Sequence, residues 1–359
     1  MSLPRIKSSR VRAVNAPLLR PVRTASGTLT SASLVLLDLE TDANVTGCAY
    51  IFTVLPAAAK PTALLLQNMA EWLIGEAIAP LDVHAKLAAR TRLMNGTGIT
   101  TTAIAAIDMA LWDALAKFNR LPLAAQLGCV PKPIKAYASF GLDGAEEGIR
   151  LAEKALQLGF LAVKTRVGFA SVEEDVDTIE AFVDELPDEV AIMCDFNQSL
   201  TPVEAIRRCR RLESYDLTWI EEPVLADDYE GCAKVAREIA TPIQIGENCW
   251  SPREVERAIR TQSCDYLMID VCKIGGITPW LRAAALAEAA QIPFSSHIFH
   301  EVSAHLLCAA PTAHYLEHLP LAESILAEHL QIKDGYAIPS SAPGSGIVWD
   351  EAAIQKYLI

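Results

Sequence analysis

The stretch VAIMCDFN (residues 190–197) is a short apolar run that ends in an acidic residue, Asp195. The same pattern returns 26 residues later at Glu221, in LTWIEEP, and after another 26 residues at Glu247, in PIQIGEN. A spacing of this size holds one strand, one crossover helix and two short loops. The pattern therefore predicts parallel β-strands that are joined by helices.

Eight candidate strands of this kind lie between residues 134 and 318. They are apolar throughout rather than alternating, as expected of strands that are covered on both faces. Helix starts lie between them, since Thr201 and Ser251 are each followed by Pro at N1 and Glu at N3. Eight such units predict a closed parallel barrel whose strand ends meet at its C-terminal mouth. The strand ends are Ser139, Arg166, Asp195, Glu221, Glu247, Asp270, His297 and Glu317.

The sequence before the barrel has a different organisation. Residues 10–55 alternate between short strand-like runs and turns, which indicates a small antiparallel sheet, and two apolar helical stretches follow at 62–76 and 102–121. We therefore expect an α/β fold, a modified TIM (β/α) barrel with an N-terminal α+β capping domain. Its predicted parts are the capping domain with a substrate flap, the barrel with the catalytic residues, and a C-terminal segment that packs back on the cap, at 1–130, 131–325 and 326–359.

Composition and charge limit the class of partner. The formal net charge of −13 argues against nucleic acid and anionic membranes, which are bound through clustered Lys and Arg. Nine cysteines without CxxC pairs indicate reduced thiols in a cytoplasmic protein. The N-terminal stretch MSLPRIKSSRVRAV has no apolar segment behind its basic residues, and no run reaches 18 apolar residues, so neither a secretory signal nor a membrane span is expected.

Three acidic residues at neighbouring strand ends predict a metal site. Asp195, Glu221 and Glu247 would repel one another in the barrel mouth unless a divalent cation lay between them. Ligands that are all oxygen favour Mg²⁺ over Zn²⁺, which prefers His or Cys. The alternative is that these acids cap helices or pair with Lys273 and nearby arginines.

The next two strand ends, Asp270 and His297, predict a general base. A carboxylate that accepts the Nδ1 proton orients the imidazole and leaves Nε2 free to take a proton. The alternative is a buried structural histidine. With a cation beside it, this pair suggests removal of a proton α to a carboxylate.

Two cations in LAVKTRVGF (161–169) also point to an anion at the mouth. Lys164 and Arg166 are two positions apart on a strand, so their side chains project from the same face. They would neutralise a carboxylate substrate and its enolate, or else serve as counter-charges for the metal-binding acids. Glu317 is either a protonated acid that donates a hydrogen bond to the substrate carboxylate or a surface acid.

These residues resemble the enolase superfamily, and specifically its mandelate racemase subgroup, over essentially the whole chain. The segments that carry the resemblance are AIDMALWDAL, AVKTR, CDFNQSL, WIEEP, GEN, KIGGIT, SSH and SAHLLCAAPTAHYLE. The resemblance implies Mg²⁺ at Asp195, Glu221 and Glu247, and His297 as the base for the R enantiomer with Asp270 as its partner. It implies that Lys164, Ser139 and Glu317 contact the substrate carboxylate and Asn197 its α-hydroxyl, and that the protein is a homo-oligomer, commonly an octamer.

The same resemblance implies a flap, VRTASGTL (22–29), that closes over the substrate. The apolar contacts are expected from the flap and from the last two strand ends. The expected substrate-binding residues are Val22, Thr24, Leu29, Ser139, Asn197, Ile298 and Leu319.

Two positions depart from the subgroup, namely Val54, where the subgroup has an aromatic residue, and Arg166. The subgroup has a second lysine at position 166, which acts as the base for the S enantiomer. Arginine has a reference pKa of about 12.5–13.8, against about 10.4 for lysine, so its neutral form costs about 3–4 kcal/mol more. We therefore predict a racemase of mandelate or a similar apolar 2-hydroxy acid in which Arg166 is a handicapped base. The alternatives are a one-base acid-sugar dehydratase and a catalytically idle binding protein.

Overall fold

The computed structural model of the protein describes residues 3–24, 27–94 and 96–359. The tip of the expected flap, Ala25 and Ser26, lies outside the described residues, and so does the side chain of Thr24. The rest of the chain forms a capping domain, a barrel and a C-terminal segment.

The capping domain contains an antiparallel sheet followed by helices. Its three strands are paired in chain order, and β2 lies in the centre with most of its side chains buried. The bounds are β1 Ile6–Thr24, β2 Gly27–Thr41, β3 Thr46–Phe52, α1 Pro56–Glu71, α2 Pro80–Arg90, α3 Ile99–Phe118 and α4 Leu123–Gln126.

Helix α3 forms the core of the cap. It packs against β3 so closely that a Cβ atom on Gly47 would lie 2.0 Å from the carbonyl oxygen of Ala110. Within the described ranges α3 is the one helix long and apolar enough to span a membrane, but 78% of its most apolar window is buried inside the protein. Such burial is typical of a core helix.

The barrel has eight parallel strands, and pairing of its last strand with its first closes it. The predicted fold class and closed barrel are therefore confirmed. The strands are β4 Ile134–Ser139, β5 Ala162–Arg166, β6 Ala191–Asp195, β7 Ile220–Glu221, β8 Ile243–Ile245, β9 Tyr266–Asp270, β10 Phe294–His297 and β11 Ala313–His318.

Seven helices connect the barrel strands: α5 Gly144–Gln157, α6 Val172–Glu185, α7 Pro202–Leu212, α8 Tyr229–Glu238, α9 Pro252–Thr261, α10 Ile277–Ala289 and α11 His300–Cys308. The predicted cap at Thr201 is confirmed, since its side chain accepts a hydrogen bond from the backbone N–H of Glu204. Ser251 is the N-cap residue of α9 with Pro252 directly after it, as predicted, but its hydroxyl makes no capping bond, and the Glu254 carboxylate accepts the N–H of Trp250 at 2.7 Å.

The C-terminal segment contacts both the barrel and the cap. It contains β12 Gln331–Lys333, β13 Tyr336–Ile338 and α12 Glu351–Tyr357, and β13 pairs with β4. On the cap side, Glu351 accepts hydrogen bonds from Arg10 and Arg12, and the Trp349 indole donates one to Asp38 at 2.7 Å.

The KIGGIT turn joins the barrel to the cap at Gly276, which has φ 112° and ψ −173°. This conformation is essentially restricted to glycine, and a Cβ atom there would lie 2.5 Å from Oδ2 of Asp108 on α3. We expect Gly276→Ala to lower the free energy of unfolding by about 2–4 kcal/mol, through strain plus a clash, in urea denaturation. Gly128→Ala is the control, because Gly128 also has positive φ but no atom near its Cβ position. Equal losses in the two variants would contradict the role of the clash.

Candidate active site

The register of the barrel brings the predicted strand-end residues together at one mouth. Arg166 is paired with Asp195 across β5 and β6, and Asp195 with Glu221 across β6 and β7. Asp270 and His297 are directly paired across β9 and β10. Parallel strands align their carboxyl ends, and this is why residues about 26 apart in sequence become neighbours.

Lys164 lies fully buried among three carboxylates. Its Nζ is 2.6 Å from Glu221 Oε1, 3.1 Å from Glu317 Oε1 and 3.8 Å from Asp195 Oδ2. Burial opposes the charge, but Glu221 and Glu317 outweigh it and hold the pKa of Lys164 well above its usual value. The anions opposite this lysine in the structure are therefore the protein's own acids.

Arg166 joins the barrel to the base of the flap. Its Nε lies 3.5 Å from Asp195 Oδ2, and its Nη1 donates a hydrogen bond to the carbonyl of Arg23 at 3.2 Å. Burial acts against the guanidinium charge, but Asp195 and Glu247 outweigh it and raise the pKa of Arg166. The guanidinium is thus held as a cation.

His297 is oriented by Asp270. Its Nδ1 lies 2.6 Å from Asp270 Oδ2, while Asp270 Oδ1 accepts the backbone N–H groups of Cys272 and Lys273, each at 2.7 Å. The other ring nitrogen, Nε2, lies 3.1 Å from Glu247 Oε2. Burial opposes the imidazolium, but Glu247 and Glu317 outweigh it and raise the pKa of His297 well above its usual value.

Glu317 is ionised in this arrangement. Burial favours its neutral form, but Lys164 and His297 outweigh burial and lower its pKa to about 2. Its Oε2 accepts the backbone N–H of Ile298 at 3.1 Å. A protonated Glu317 beside a bound substrate carboxylate stays a prediction.

The carboxylates at the mouth carry more negative charge than the basic side chains around them neutralise. Burial, together with repulsion from Asp195 and Glu317, raises the pKa of Glu221 to about 8. Within the described residues, six acids face four basic side chains there: Asp195, Glu221, Glu222, Glu247, Asp270 and Glu317 against Lys164, Arg166, Lys273 and His297. An oxygen-only donor set with surplus negative charge fits a hard divalent cation such as Mg²⁺.

A cavity of about 520 Å³ opens at this mouth and is lined there by Arg166, Glu247, Asp270, Lys273 and His297, whereas Lys164, Asp195, Glu221 and Glu317 do not line it. The residues expected to bind substrate that line it are Val22, Leu29, Asn197, Ile298 and Leu319, and Phe52 and Val54 join them. Ser139 does not line the cavity; it is 2% exposed and is paired in register with Lys164.

Sequence reasoning missed several polar residues that line this cavity: Thr62, Gln198, Asn248 and Trp250. Asn248 directly follows the strand-end acid Glu247, and this proximity was a usable signal. Thr62 lies on α1 of the cap and reaches the cavity through packing of the two domains, which leaves no local trace in the sequence.

The backbone around the mouth contains residues with positive φ. Val54 has φ 59° and Ile298 has φ 36°, conformations that β-branched residues rarely adopt. Asn197 and Glu222 have φ 48° and 38°. Such residues cluster at ligand sites, where the surrounding structure holds them in place.

Two ranges of the chain match the domains of known protein families. Residues 6–128 match the mandelate racemase / muconate lactonizing enzyme N-terminal domain, and residues 148–353 match the enolase C-terminal domain-like family. The chain belongs to the mandelate racemase/muconate lactonizing enzyme family of the enolase superfamily. The predicted family is therefore confirmed.

The chain is similar to members of this family that have different enzyme names. An enolase from Bradyrhizobium, solved with magnesium and mandelic acid, is 42% identical with a TM-score of 0.97, and the match covers 100% of this chain and 99% of that one. The 3,6-anhydro-alpha-L-galactonate cycloisomerase of Streptomyces coelicolor is 32% identical over 90% of this chain and 91% of the relative. The L-talarate/galactarate dehydratase of Salmonella typhimurium is 33% identical over 80% and 73%. The protein is thus an enzyme of the enolase superfamily, and its cofactor is Mg²⁺.

Proposed function

We propose that the protein removes and returns the α-proton of a 2-hydroxy carboxylate, and that it racemises mandelate or a similar aryl or apolar acid. The observation that carries the proposal is the His297–Asp270 pair at the wall of the cavity. The 2.6 Å contact to Asp270 fixes the imidazole of His297, and this residue lines the cavity. A base fixed in this way accepts a proton from one face of the substrate.

The carboxylates of Asp195, Glu221 and Glu247 would hold the Mg²⁺, which supplies positive charge opposite the charge that develops on the substrate carboxylate. Lys164 adds a second, buried positive charge on the same side. Asn197 would contact the α-hydroxyl, and Ser139 and Glu317 would contact the carboxylate, as the resemblance to the subgroup implies. These residues orient the substrate, while Val22, Leu29 and Leu319 exclude water from its apolar group.

The two candidate bases, His297 for one face of the substrate and Arg166 for the other, differ in how readily they release their own proton. The carboxylates at the mouth raise the pKa of both His297 and Arg166. The reference pKa of imidazole is about 6.5 and that of guanidinium about 12.5 or more, so once Mg²⁺ offsets these carboxylates His297 would reach its basic form far more readily than Arg166. We therefore expect removal of the proton from the R enantiomer to be faster than removal from the S enantiomer.

Exchange of the α-proton in D₂O tests this proposal. With Mg²⁺ present, deuterium should enter (R)-mandelate faster than (S)-mandelate, as followed by ¹H NMR. If neither mandelate nor any other apolar 2-hydroxy acid exchanged its α-proton, the racemase proposal would be wrong.

Acid-sugar dehydration is the second candidate. It is favoured by the polar side of the cavity, where Gln198, Asn248 and Lys273 offer hydrogen bonds to additional hydroxyls. In that reaction His297 removes the α-proton and returns it to the departing β-hydroxyl. Formation of a 2-keto-3-deoxy acid from a panel of acid sugars, with no exchange of mandelate, would favour this candidate.

The proposed Mg²⁺ ligands lead to a direct prediction. Glu221→Gln removes a negative oxygen from the set, so we expect Mg²⁺ affinity to fall by more than about tenfold in isothermal titration calorimetry. Glu204→Gln, which removes an acid on α7 away from the mouth, should leave the affinity unchanged. Unaltered Mg²⁺ binding in Glu221→Gln would exclude Glu221 as a ligand.

We also propose that the protein is a cytoplasmic homo-oligomer, and an octamer by its resemblance to the subgroup. Large apolar side chains on the cap support an interface, since Leu55, Leu93 and Met94 are 66%, 100% and 56% exposed. Light scattering with size-exclusion chromatography should give a multiple of the 38.9 kDa chain mass. A monomer would contradict this proposal.

A further inference from the structure

A second cluster of metal-binding side chains lies behind the catalytic mouth. Possible ligand atoms of His300, His318 and Glu323 all lie within 4.8 Å of one another. The two imidazole rings are side by side, with centroids 4.5 Å apart and planes tilted by 30°. This group is separate from the oxygen-only set at the mouth, because His318 follows Glu317 on β11 and adjacent strand residues face opposite sides.

Of the three cluster members, His300 is the one whose buried side-chain atoms lack hydrogen-bond partners among the described residues. His300 is 1% exposed, and neither of its ring nitrogens makes a hydrogen bond within the described part of the chain. Its Nε2 forms an ion-pair contact with Glu301 Oε1 at 3.0 Å, so Nδ1 is the ring nitrogen that has no polar partner in this part of the structure. A buried donor or acceptor without a partner costs about 1–3 kcal/mol, so a ligand for this nitrogen would be stabilising.

We propose that His300, His318 and Glu323 form a second metal site that binds Zn²⁺ or a similar transition-metal ion. Two imidazoles and one carboxylate are a donor set that Zn²⁺ accepts, with a fourth position left for water or for Glu301. Mg²⁺ is disfavoured there, because it prefers oxygen ligands and octahedral geometry.

The cluster is accessible from a neighbouring cavity. A cavity of about 230 Å³ that is lined by Glu301 and His329 lies beside the cluster. His329 also contacts Glu323, with its Nδ1 3.1 Å from Oε1, so an outer ligand is available on the solvent side.

An ion at this position would connect the ends of the two strands, β10 and β11, that carry His297 and Glu317 of the catalytic mouth. His300 begins α11 three residues after His297, and His318 immediately follows Glu317. These two segments already contact each other through the Ile298 N–H and the Glu317 carboxylate. A metal that joins His300 to His318 would hold the same two segments on the side away from the mouth. Its role would be to position His297 and Glu317.

Zn²⁺ binding by the Mg²⁺-loaded protein tests the proposal. Protein in excess Mg²⁺ is incubated with Zn²⁺, separated by gel filtration and analysed for metal by mass spectrometry. We expect about one retained equivalent and a higher melting temperature in the wild type. His318→Gln and Glu323→Gln should lose that equivalent, with affinity reduced by more than about 100-fold, and should bind Mg²⁺ as before.

His314→Gln is the matched control, because His314 lies on the same strand but packs against Trp219 and Tyr266 away from the cluster. It should retain the Zn²⁺. Co²⁺ substitution adds a spectroscopic test, in which nitrogen and oxygen ligands give visible d–d bands without a thiolate charge-transfer band. The proposal is overturned if the wild type retains no Zn²⁺, if both cluster variants retain it, if Glu221→Gln alone removes it, or if a thiolate band appears.

Discussion

His297→Asn is expected to slow α-proton exchange of the R enantiomer by about 10²- to 10⁴-fold, the usual contribution of a general base. Asparagine preserves a polar side chain of similar size but cannot take up a proton. The loss should appear in the turnover number rather than in KM, because Lys164 and the proposed Mg²⁺ ligands remain in place. Measurement of deuterium incorporation into (R)-mandelate at saturating Mg²⁺ checks this result.

Two further variants make this prediction specific. Asp270→Asn should reduce exchange of the R enantiomer as well, because it removes the carboxylate that lies 2.6 Å from Nδ1 and selects the tautomer. His84→Asn is the control, since His84 lies on α2 of the cap outside the cavity. If His297→Asn retained full exchange of the R enantiomer while folded, as judged by circular dichroism, the assignment of the base would fail.

The barrel was predictable because its sequence pattern repeats at regular intervals and each repeat can be recognised from neighbouring residues. Each strand is an apolar run followed by a polar residue, and the spacing allows one crossover helix. Even β7 and β8, which are only two and three residues long, were found by this spacing. Ser251 shows the limit of such patterns, because the sequence places it at the N-cap but does not determine whether its hydroxyl accepts a hydrogen bond from the first turn.

The part of the site built from strand ends was predictable for the same reason. Lys164 and Arg166 project from one face of β5, and both approach Asp195 on the next strand. What the sequence does not specify is the partner of each charge. Lys164 lies closest to Glu221 rather than to Asp195, because side-chain length and burial decide which contact forms.

The walls of the cavity depend on tertiary packing and were only partly predictable. Val22 and Leu29 were inferred through resemblance to a known flap, whereas Thr62 comes from a cap helix with no sequence motif of its own. The cluster of His300, His318 and Glu323 was also not foreseen. Its members lie at the start of α11, at the end of β11 and in a short 3-10 helix at Glu323–Ile325, and only the closed barrel brings them within ligand distance.

Arg166→Lys is expected to raise α-proton exchange of the S enantiomer by up to a few hundred-fold and to change that of the R enantiomer much less. The reference pKa of lysine lies about two to three units below that of arginine, so the neutral form is more accessible at neutral pH. In the structure Asp195 and Glu247 favour a cation at position 166, and Mg²⁺ held by these acids would weaken that effect. Burial and the charge of Lys164 on the same face of β5 would then lower the pKa of a lysine there, a route that is less open to a guanidinium.

The Arg166→Lys substitution should also weaken the link between the barrel and the flap. Arg166 spans from Asp195 to the Arg23 carbonyl, and a lysine ammonium is a single point charge that does not hold both positions with the same geometry. We therefore expect KM to rise for both enantiomers while the turnover number rises for S. Polarimetry and deuterium exchange, measured separately for each enantiomer, distinguish these two effects.

Two variants identify the cause of any gain. Arg20→Lys makes the same chemical change in a nearby arginine, whose Nη2 donates a hydrogen bond to the Ser139 carbonyl at 3.0 Å, and it should give no gain for S. Arg166→Met removes the charge without supplying a base, so it should lower exchange of the S enantiomer. If Arg166→Lys were equally or less active with both enantiomers, arginine would not be a handicapped base, and its link between Asp195 and the flap would be the reason for its presence.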